Sequence, residues 1–158
     1  MLDLVPVSVR DPAVATLIDA LTVELADSGY SDEETFGYSL DQLEASGVHL
    51  VGAYLDGTLV GIGGVEIQGG GFAELKRFYV GPAHRGQGAA DALIGALVEH
   101  ARSRSATTVR LETGDKQHAA MRFYSRHGFE VVPRFGPYVD SATSVCMQRE
   151  ISLAQGNP

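Results

Sequence analysis

A glycine-containing loop between a predicted strand and a predicted helix, within residues 73–101, constrains this chain more than any other feature. The apolar and aromatic run before the loop stops at a Gly-Pro pair, as the end of a strand does. From Ala90 onward the apolar residues recur at the three- and four-residue spacing of one buried helical face. Between the two, Gly86 and Gly88 remove side chains from the backbone, and the start of the helix adds unpaired N–H groups and the positive end of the helix dipole. The segment therefore predicts a cradle for a pyrophosphate group.

Two well-known nucleotide-binding designs also place a glycine loop between a strand and a helix, and the sequence matches neither. No Gly-Lys-Ser/Thr follows Gly88, and Asp91 stands where the dinucleotide fingerprint needs its third glycine. A glycine-rich strand–helix connection with no ligand is the remaining alternative. What the loop does match is R-x-x-G-x-A, with Arg85, Gly88 and Ala90 at the fixed positions. This pattern resembles the acyl-CoA loop of the GNAT N-acetyltransferase superfamily.

A second motif lies in residues 117–129 and is similar to the family's N-x-x-A-x-x-x-Y-x-x-x-G-F. Ala120, Tyr124 and Gly128 stand at matching positions, and Gln117 replaces the asparagine that is common there. Because Gln117 keeps a side-chain amide, we expect a hydrogen bond to the cofactor arm, with the amide farther from the backbone than in asparagine. From the two motifs the chain is identified as a small, single-domain member of the bacterial type of this superfamily.

The predicted elements follow the order β-α-α-β-β-β-α-β-α-β-β, which is the order of the GNAT fold. The resemblance implies an α/β (α+β) fold, in which a mixed, mostly antiparallel central sheet of about seven strands carries four helices. It also implies that the first two helices, the second predicted over residues 38–45, cover the acceptor side of the cleft. Asp115 is the expected N-cap of the last helix. One domain is predicted over residues 1–153, with residues 154–158 as a frayed tail.

Composition and charge argue against several classes of function. The net charge of −8 argues against nucleic acid as a partner, because a surface that follows phosphates needs a basic patch. No apolar run is long enough to span a membrane, and the single cysteine, Cys146, indicates a reducing, cytoplasmic location. The five histidines lack zinc-like spacing, so no metal is expected.

Charge is distributed unevenly along the chain. Residues 1–70 hold twelve acidic residues and one basic residue, whereas residues 71–158 hold eight acidic and eleven basic residues. The basic half, which carries the cradle, suits an anionic nucleotide, and the acidic half would attract a cationic co-substrate. The alternative is that the acidic side chains lie on solvated helix faces and only keep the protein soluble.

The resemblance implies that acetyl-CoA is the donor and co-substrate. In the family the strand before the loop separates from its neighbour, so that its backbone, here at Phe78, Tyr79 and Val80, can pair with the pantetheine arm. The remaining donor contacts implied by the two motifs are Arg85, Gly86, Gln87, Gly88, Ala89 and Ala90 at the pyrophosphate, with Gln117 and Tyr124 beside the arm.

Two residues are the expected catalytic groups. Tyr124 stands at the family's tyrosine and is expected to act as general acid, because a phenol with a pKa of about 10 stays protonated at neutral pH; the alternative is a core aromatic. Glu74 is the expected general base, since regular strand alternation would place it on the same side as Phe78. Glu66 and Glu112 are alternative bases. Each of the three carboxylates could instead pair with a neighbouring cation, such as Lys76, Arg77 or Arg110.

Together these expectations describe an acetyl-CoA-dependent N-acetyltransferase that transfers acetyl by direct attack of a primary amine. Its acceptor would be a small molecule, with a cationic amine as one candidate, and its assembly a monomer or homodimer. Two alternatives are open: an enzyme that acetylates protein N-termini or lysines, and an acyl-CoA-binding module without turnover. Cys146, within an apolar strand, is expected to be buried and inert rather than a nucleophile.

Overall fold

The computed structural model describes residues 1–30 and 40–151. The predicted first residues of the second helix, 38 and 39, and the predicted tail 154–158 lie outside the described residues. Within them the order of elements is the predicted one. The strands are β1 (Leu2–Pro6), β2 (His49–Leu55), β3 (Thr58–Gly69), β4 (Phe72–Val80), β5 (Thr108–Gly114), β6 (Glu130–Val132) and β7 (Ser144–Glu150). The helices are α1 (Pro12–Asp27), α2 (Leu40–Ser46), α3 (Ala89–Ser103) and α4 (His118–Arg126).

The N-terminal ends of helices α1 and α4 are capped in different ways. At the start of α1 the Asp11 side chain accepts a hydrogen bond from the backbone N–H of Ala13, and a proline occupies the first turn, as the sequence predicts. At α4 the predicted cap is wrong, because the N-cap residue is Gln117 and makes no capping bond with its side chain. The Asp115 carboxylate instead accepts a bond of 3.2 Å from the Tyr30 hydroxyl. A tertiary contact therefore takes the place of the expected local one.

The seven strands form one sheet in the order β1-β2-β3-β4-β5-β7-β6. Only β4 and β5 pair in parallel, and the other neighbours are antiparallel. One face packs against α3 through Leu93 and Leu97, with Leu111 of β5 in the same core. The other face packs against α1 and α2 through Ile18 and Leu43. The mixed, mostly antiparallel sheet implied by the resemblance is thus confirmed.

Strand β4 contains a bulge, which sequence alternation does not predict. Its register against β3 shifts so that one extra residue lies on β4 between Lys76 and Tyr79, and Arg77 there has a φ of 53°. After the bulge, Phe78 packs on the α3 side of the sheet, as Leu75 does before it. Glu74 alternates with Leu75 and therefore faces the α1 and α2 side. The expectation that Glu74 shares a face with Phe78 is wrong for this reason.

Strands β4 and β5 separate soon after they begin to pair. Their register consists of Phe72 with Thr108, Ala73 with Val109 and Glu74 with Arg110. Beyond Glu74 the two parallel strands diverge, and within the described residues β4 and β5 form no further pairs. This opening connects the two faces of the sheet and leads to the glycine loop at the end of β4.

Candidate active site

The glycine loop has the geometry that the sequence predicts for a pyrophosphate cradle. Gly86 and Gly88 have φ angles of 79° and 91°, a conformation that favours glycine. Nothing in the described chain lies within 4 Å of a Cβ built on either residue, so the inner face of the loop is open. Gly88 is the N-cap of α3 and its first turn has no side-chain cap. The loop and helix start therefore fit an anionic phosphate group.

Arg85 makes contacts that its motif does not reveal. Its Nη2 donates to Glu24 of α1 at 2.8 Å, and its Nε donates to the carbonyl of Val80 at 2.9 Å. The guanidinium also lies 5.5 Å from the centre of the Tyr79 ring. Arg85 thus ties the loop to α1 and to the end of β4, and its expected phosphate contact stays a prediction.

A cleft of about 420 Å³ occupies the opening between β4 and β5. Among the residues named from the sequence, Gln87 is exposed and Ala89 is buried in the core, and neither lines the cleft. Glu66 also lies outside the lining and is bonded to Gln68 Nε2 at 3.0 Å. The named residues that the structure does bring together around the cleft are Glu74, Phe78, Tyr79, Val80, Arg85, Gly86, Gly88, Ala90, Glu112, Gln117 and Tyr124.

Tyr124 reaches the cleft from α4, on the α3 side of the sheet. Its ring is 8% exposed and packs edge-on against Phe78 and Phe129, with centroids 6.1 and 5.8 Å away. Burial, and then the negative charge of Glu112, hold the pKa of the Tyr124 phenol well above its ordinary value. Within the described residues its hydroxyl makes no hydrogen bond, so its proton is available to a molecule in the cleft.

Glu74 lies on the opposite face, and its carboxylate is already occupied. It is 3% exposed, and its Oε2 accepts from the Tyr138 hydroxyl at 2.6 Å and pairs with Lys76 Nζ at 3.1 Å. Its Oε1 accepts from Gln68 Nε2 at 2.8 Å. A carboxylate held in this way compensates charge and fixes its partners.

Glu112 of β5 lies on the same face as Glu74 but has fewer donors. Its Oε2 accepts from the Ser144 hydroxyl at 2.7 Å. Burial raises the pKa of Glu112 to about 7, the negative charge of Glu74 adds to that rise, and the hydrogen bond from Ser144 opposes it. A carboxyl group with a pKa near neutrality is suited to accept a proton, so Glu112 fits the role of base better than Glu74 does.

Two buried tyrosines, Tyr30 and Tyr138, line the cleft. Tyr138, in the β6–β7 loop, is 3% exposed and bonded to Glu74. Tyr30, after the end of α1, is 7% exposed, and its hydroxyl accepts from the backbone N–H of Lys116 at 2.6 Å. A Cβ on Gly114 would lie 2.2 Å from that hydroxyl oxygen. The end of α1 can therefore dock on the end of β5 only because residue 114 is glycine.

Replacing Gly114 with alanine is expected to destabilise the protein by about 1–3 kcal/mol, the usual cost of overpacking. The added methyl group would overlap the Tyr30 ring, with its Cζ at 2.3 Å. Chemical denaturation measures the change in free energy of unfolding. Gly95→Ala is the matched control, because Gly95 is exposed in α3 with nothing within 4 Å, and alanine favours a helix there. Equal stability of the two variants would contradict the docking of Tyr30.

Comparison with known proteins agrees with this geometry. The model of the acetyltransferase (GNAT) family matches residues 16–129. An IAA acetyltransferase of Azospirillum brasilense is 31% identical over 140 residues, which cover 88% of this chain and 91% of that protein. A solved structure from Klebsiella pneumoniae subsp. pneumoniae, assigned by its description to the acyl-CoA N-acyltransferases, has a TM-score of 0.81 at 34% identity and covers 95% of this chain and 97% of its own. The PaiA N-acetyltransferase of Thermoplasma acidophilum, solved with coenzyme A, has a TM-score of 0.75 at 21% identity, covering 96% and 99%.

A parallel strand pair that opens above a glycine loop, with titratable groups on both sides, defines an acyl-transfer site on an α/β scaffold. The chain belongs to the GNAT acetyltransferase family. It is an enzyme of the N-acetyltransferase type, and the family resemblance and fold inferred from the sequence are confirmed.

Within residues 1–30 and 40–151, none of the helices combines the length and the apolar character needed to span a bilayer. Over the same residues, no group of three or more His, Cys, Asp or Glu side chains is arranged to hold a metal ion.

Sequence reasoning missed Tyr30 and Gln68 as parts of the site, whereas it named Lys76 as an alternative ion-pair partner, and the structure pairs Lys76 with Glu74. Tyr30 meets Lys116 across 86 positions, and no local signal points to such a contact. Glu112 was identifiable from the alternation in β5, since it shares a face with Arg110 and not with the core residue Leu111.

Proposed function

We propose that this protein transfers the acetyl group of acetyl-CoA to the primary amine of a small molecule, by direct attack of the amine. Two buried tyrosines that line the cleft, Tyr30 and Tyr138, are the observation that carries the small-molecule acceptor. Both hydroxyls are held by hydrogen bonds within the protein, Tyr30 to Lys116 and Tyr138 to Glu74, and fixed aromatic walls suit a small acceptor better than a peptide chain. The name of the Azospirillum relative, IAA acetyltransferase, supports a small acceptor as well.

Acetyl-CoA as the donor is supported by three observations. The loop at Gly86 and Gly88 fits a pyrophosphate, and the part of β4 that extends beyond its pairing with β5 can pair with an extended arm. Gln117 and Tyr124 line the cleft beside that edge, as the family motif implies. The Thermoplasma structure, which shares the fold, holds coenzyme A.

Direct attack is supported by the positions of Glu112 and Tyr124 on opposite faces of the sheet. An amine that enters from the α1 side meets Glu112, which can accept the proton that the ammonium must lose. A thiolate that leaves on the α3 side meets Tyr124, whose hydroxyl can give it a proton and regain one from the nitrogen of the collapsing intermediate. Cys146 is 1% exposed and burial raises the pKa of its thiol, so an acyl-cysteine route has no support.

The uneven charge of the two halves of the sequence suggests a cationic acceptor, but the contacts in the structure support this suggestion less strongly. Asp41 and Glu44 bind Arg10, and Glu24 binds Arg85, so these acidic side chains are engaged within the protein. Cationic amines are therefore one of several acceptor classes to be compared. The proposal further includes a cytoplasmic location, supported by the single buried cysteine, and either a monomer or a homodimer.

The test is release of CoA from acetyl-CoA against a panel of small amines that are polycationic, zwitterionic or anionic, with lysine and N-terminal peptides as a separate arm. Turnover of one small-amine class, at least about tenfold above the peptides in kcat/KM, is the expected result. Weakening of that turnover by salt would identify a cationic acceptor. Preference for peptides would overturn the small-molecule proposal, and acetyl-CoA binding without any turnover would favour the binding-module alternative.

A further inference from the structure

The β6–β7 loop is attached to the sheet through a chain of polar contacts that starts at Glu74. Gln68, which donates to Glu74, accepts in turn from Arg110 Nε and Nη2 at 3.2 and 2.9 Å. The Arg110 guanidinium lies between two aromatic rings, 4.2 Å from the centre of Phe72 and 4.2 Å from that of Phe135. The loop residue Phe135 is thus held at one end of this chain.

The other end of the chain holds the same loop at Tyr138. The Tyr138 hydroxyl donates to Glu74 and lies 3.4 Å from Lys76 Nζ. The rings of Phe135 and Tyr138 meet edge to face, with centroids 5.4 Å apart. Glu74, Gln68 and Arg110 therefore link three neighbouring strands to both aromatic residues of the loop.

We propose that Glu74 is a positioning residue and not the proton acceptor: its buried carboxylate fixes Tyr138 and Lys76 as the acceptor-side wall of the cleft. The inference rests on the proposed function, since it assigns the wall against which the amine is held. To take a proton from an amine, Glu74 would first have to give up one of its three contacts. Glu112 can take that proton while keeping its bond from Ser144.

The charge of Glu74 also acts on Glu112, which gives the inference a pH-dependent test. Titratable groups face Glu112 from each neighbouring element, namely Glu74 and Lys76 of β4, Tyr124 of α4, Tyr138 of the loop, Cys146 of β7 and Tyr30 after α1. The negative charge of Glu74 raises the pKa of Glu112, and the positive charge of Lys76 lowers it. Removing the charge of Glu74 should therefore lower the pKa of Glu112, because the repulsion between the two carboxylates is lost.

The test measures the pH dependence of kcat/KM for Glu74→Gln, with the preferred amine of the panel. The rise of kcat/KM with pH should persist, and its midpoint should move to lower pH by about half a pH unit or more. The KM for the amine should rise several-fold while the KM for acetyl-CoA stays the same. If Glu74→Gln loses the rise of kcat/KM with pH, and its kcat falls as far as that of the Glu112→Gln variant, Glu74 is the base. An unchanged midpoint and unchanged KM would equally overturn the inference.

Tyr138→Phe keeps the test decisive if Glu74→Gln does not fold. This variant removes one hydroxyl and should raise the KM for the amine, while the midpoint of the rise of kcat/KM with pH should not move to lower pH. Hydrogen exchange gives a readout that needs no activity: the amides of Tyr138 and Ser141, bonded within the loop, should exchange at least about tenfold faster in either variant. Unchanged exchange would refute the anchoring. Wild-type protein that acetylates no amine would instead refute the proposed function, and the exchange result would still decide the anchoring.

Discussion

Replacing Tyr124 with phenylalanine is expected to lower kcat by about 10²-fold or more, the usual contribution of a positioned general acid. The hydroxyl lies in the cleft without a partner among the described residues, and its raised pKa keeps the proton on the oxygen at neutral pH. A leaving thiolate would take that proton. The measurement is the initial rate of CoA release at saturating acetyl-CoA and amine.

The same substitution should leave the fold and the donor site intact. Phenylalanine keeps the edge-on contacts with Phe78 and Phe129, and it removes only a hydroxyl that bonds to none of the described residues. Coenzyme A affinity, measured by titration calorimetry, should therefore change by less than about twofold. Tyr54→Phe, on β2 and outside the cleft lining, is the matched control and should keep full activity. A kcat within about threefold of wild type would show that Tyr124 only packs in the core.

The fold was predictable because its signals are local. The pair Asp56-Gly57 lies between two apolar runs, which favours a hairpin turn, and the turn is present between β2 and β3. The glycine loop and the apolar face of α3 likewise need only a few neighbouring residues, and both are present. The bulge at Arg77 has no such signal, since a non-glycine residue there adopts a φ of 53°. That one extra residue moves Glu74 to the face opposite Phe78. A rule of strict alternation therefore found the right strand and assigned the wrong face.

The choice between Glu74 and Glu112 as the proposed base could not be made from the sequence, for a related reason. Glu74 and Glu112 are the same kind of side chain on neighbouring strands, and only their surroundings distinguish them. Lys76, Gln68 and Tyr138 converge on Glu74 from three different parts of the chain. Burial with a single hydroxyl donor leaves Glu112 as the carboxyl group that titrates near neutral pH. Such differences arise from tertiary contacts and not from spacing.

Replacing Glu112 with glutamine is expected to remove the pH dependence that this carboxyl group gives the enzyme. In the wild type only the carboxylate can accept a proton, so kcat/KM for the amine should rise with pH through a midpoint near 7. Above that midpoint Glu112→Gln should be slower by about 10²-fold or more, and the difference should shrink at lower pH, where the wild type is protonated. Rates measured from pH 5.5 to 9 with two amines of different basicity separate this limb from ionisation of the substrate.

Stability provides an independent check on the same residue. Because the folded-state pKa of Glu112 is raised from 4.5 to about 7, the folded protein binds more protons than the unfolded chain between these values. Its contribution to stability is therefore present below pH 4.5 and is lost as the pH rises through 7. Glu112→Gln should gain stability over the wild type above pH 7, by up to about 3 kcal/mol, while it loses activity. The exposed Glu130→Gln is the control for both readouts and should change neither. If Glu112→Gln keeps the wild-type rise of kcat/KM with pH, another group accepts the proton. If the variant loses stability as well as activity, Glu112 supports the fold instead.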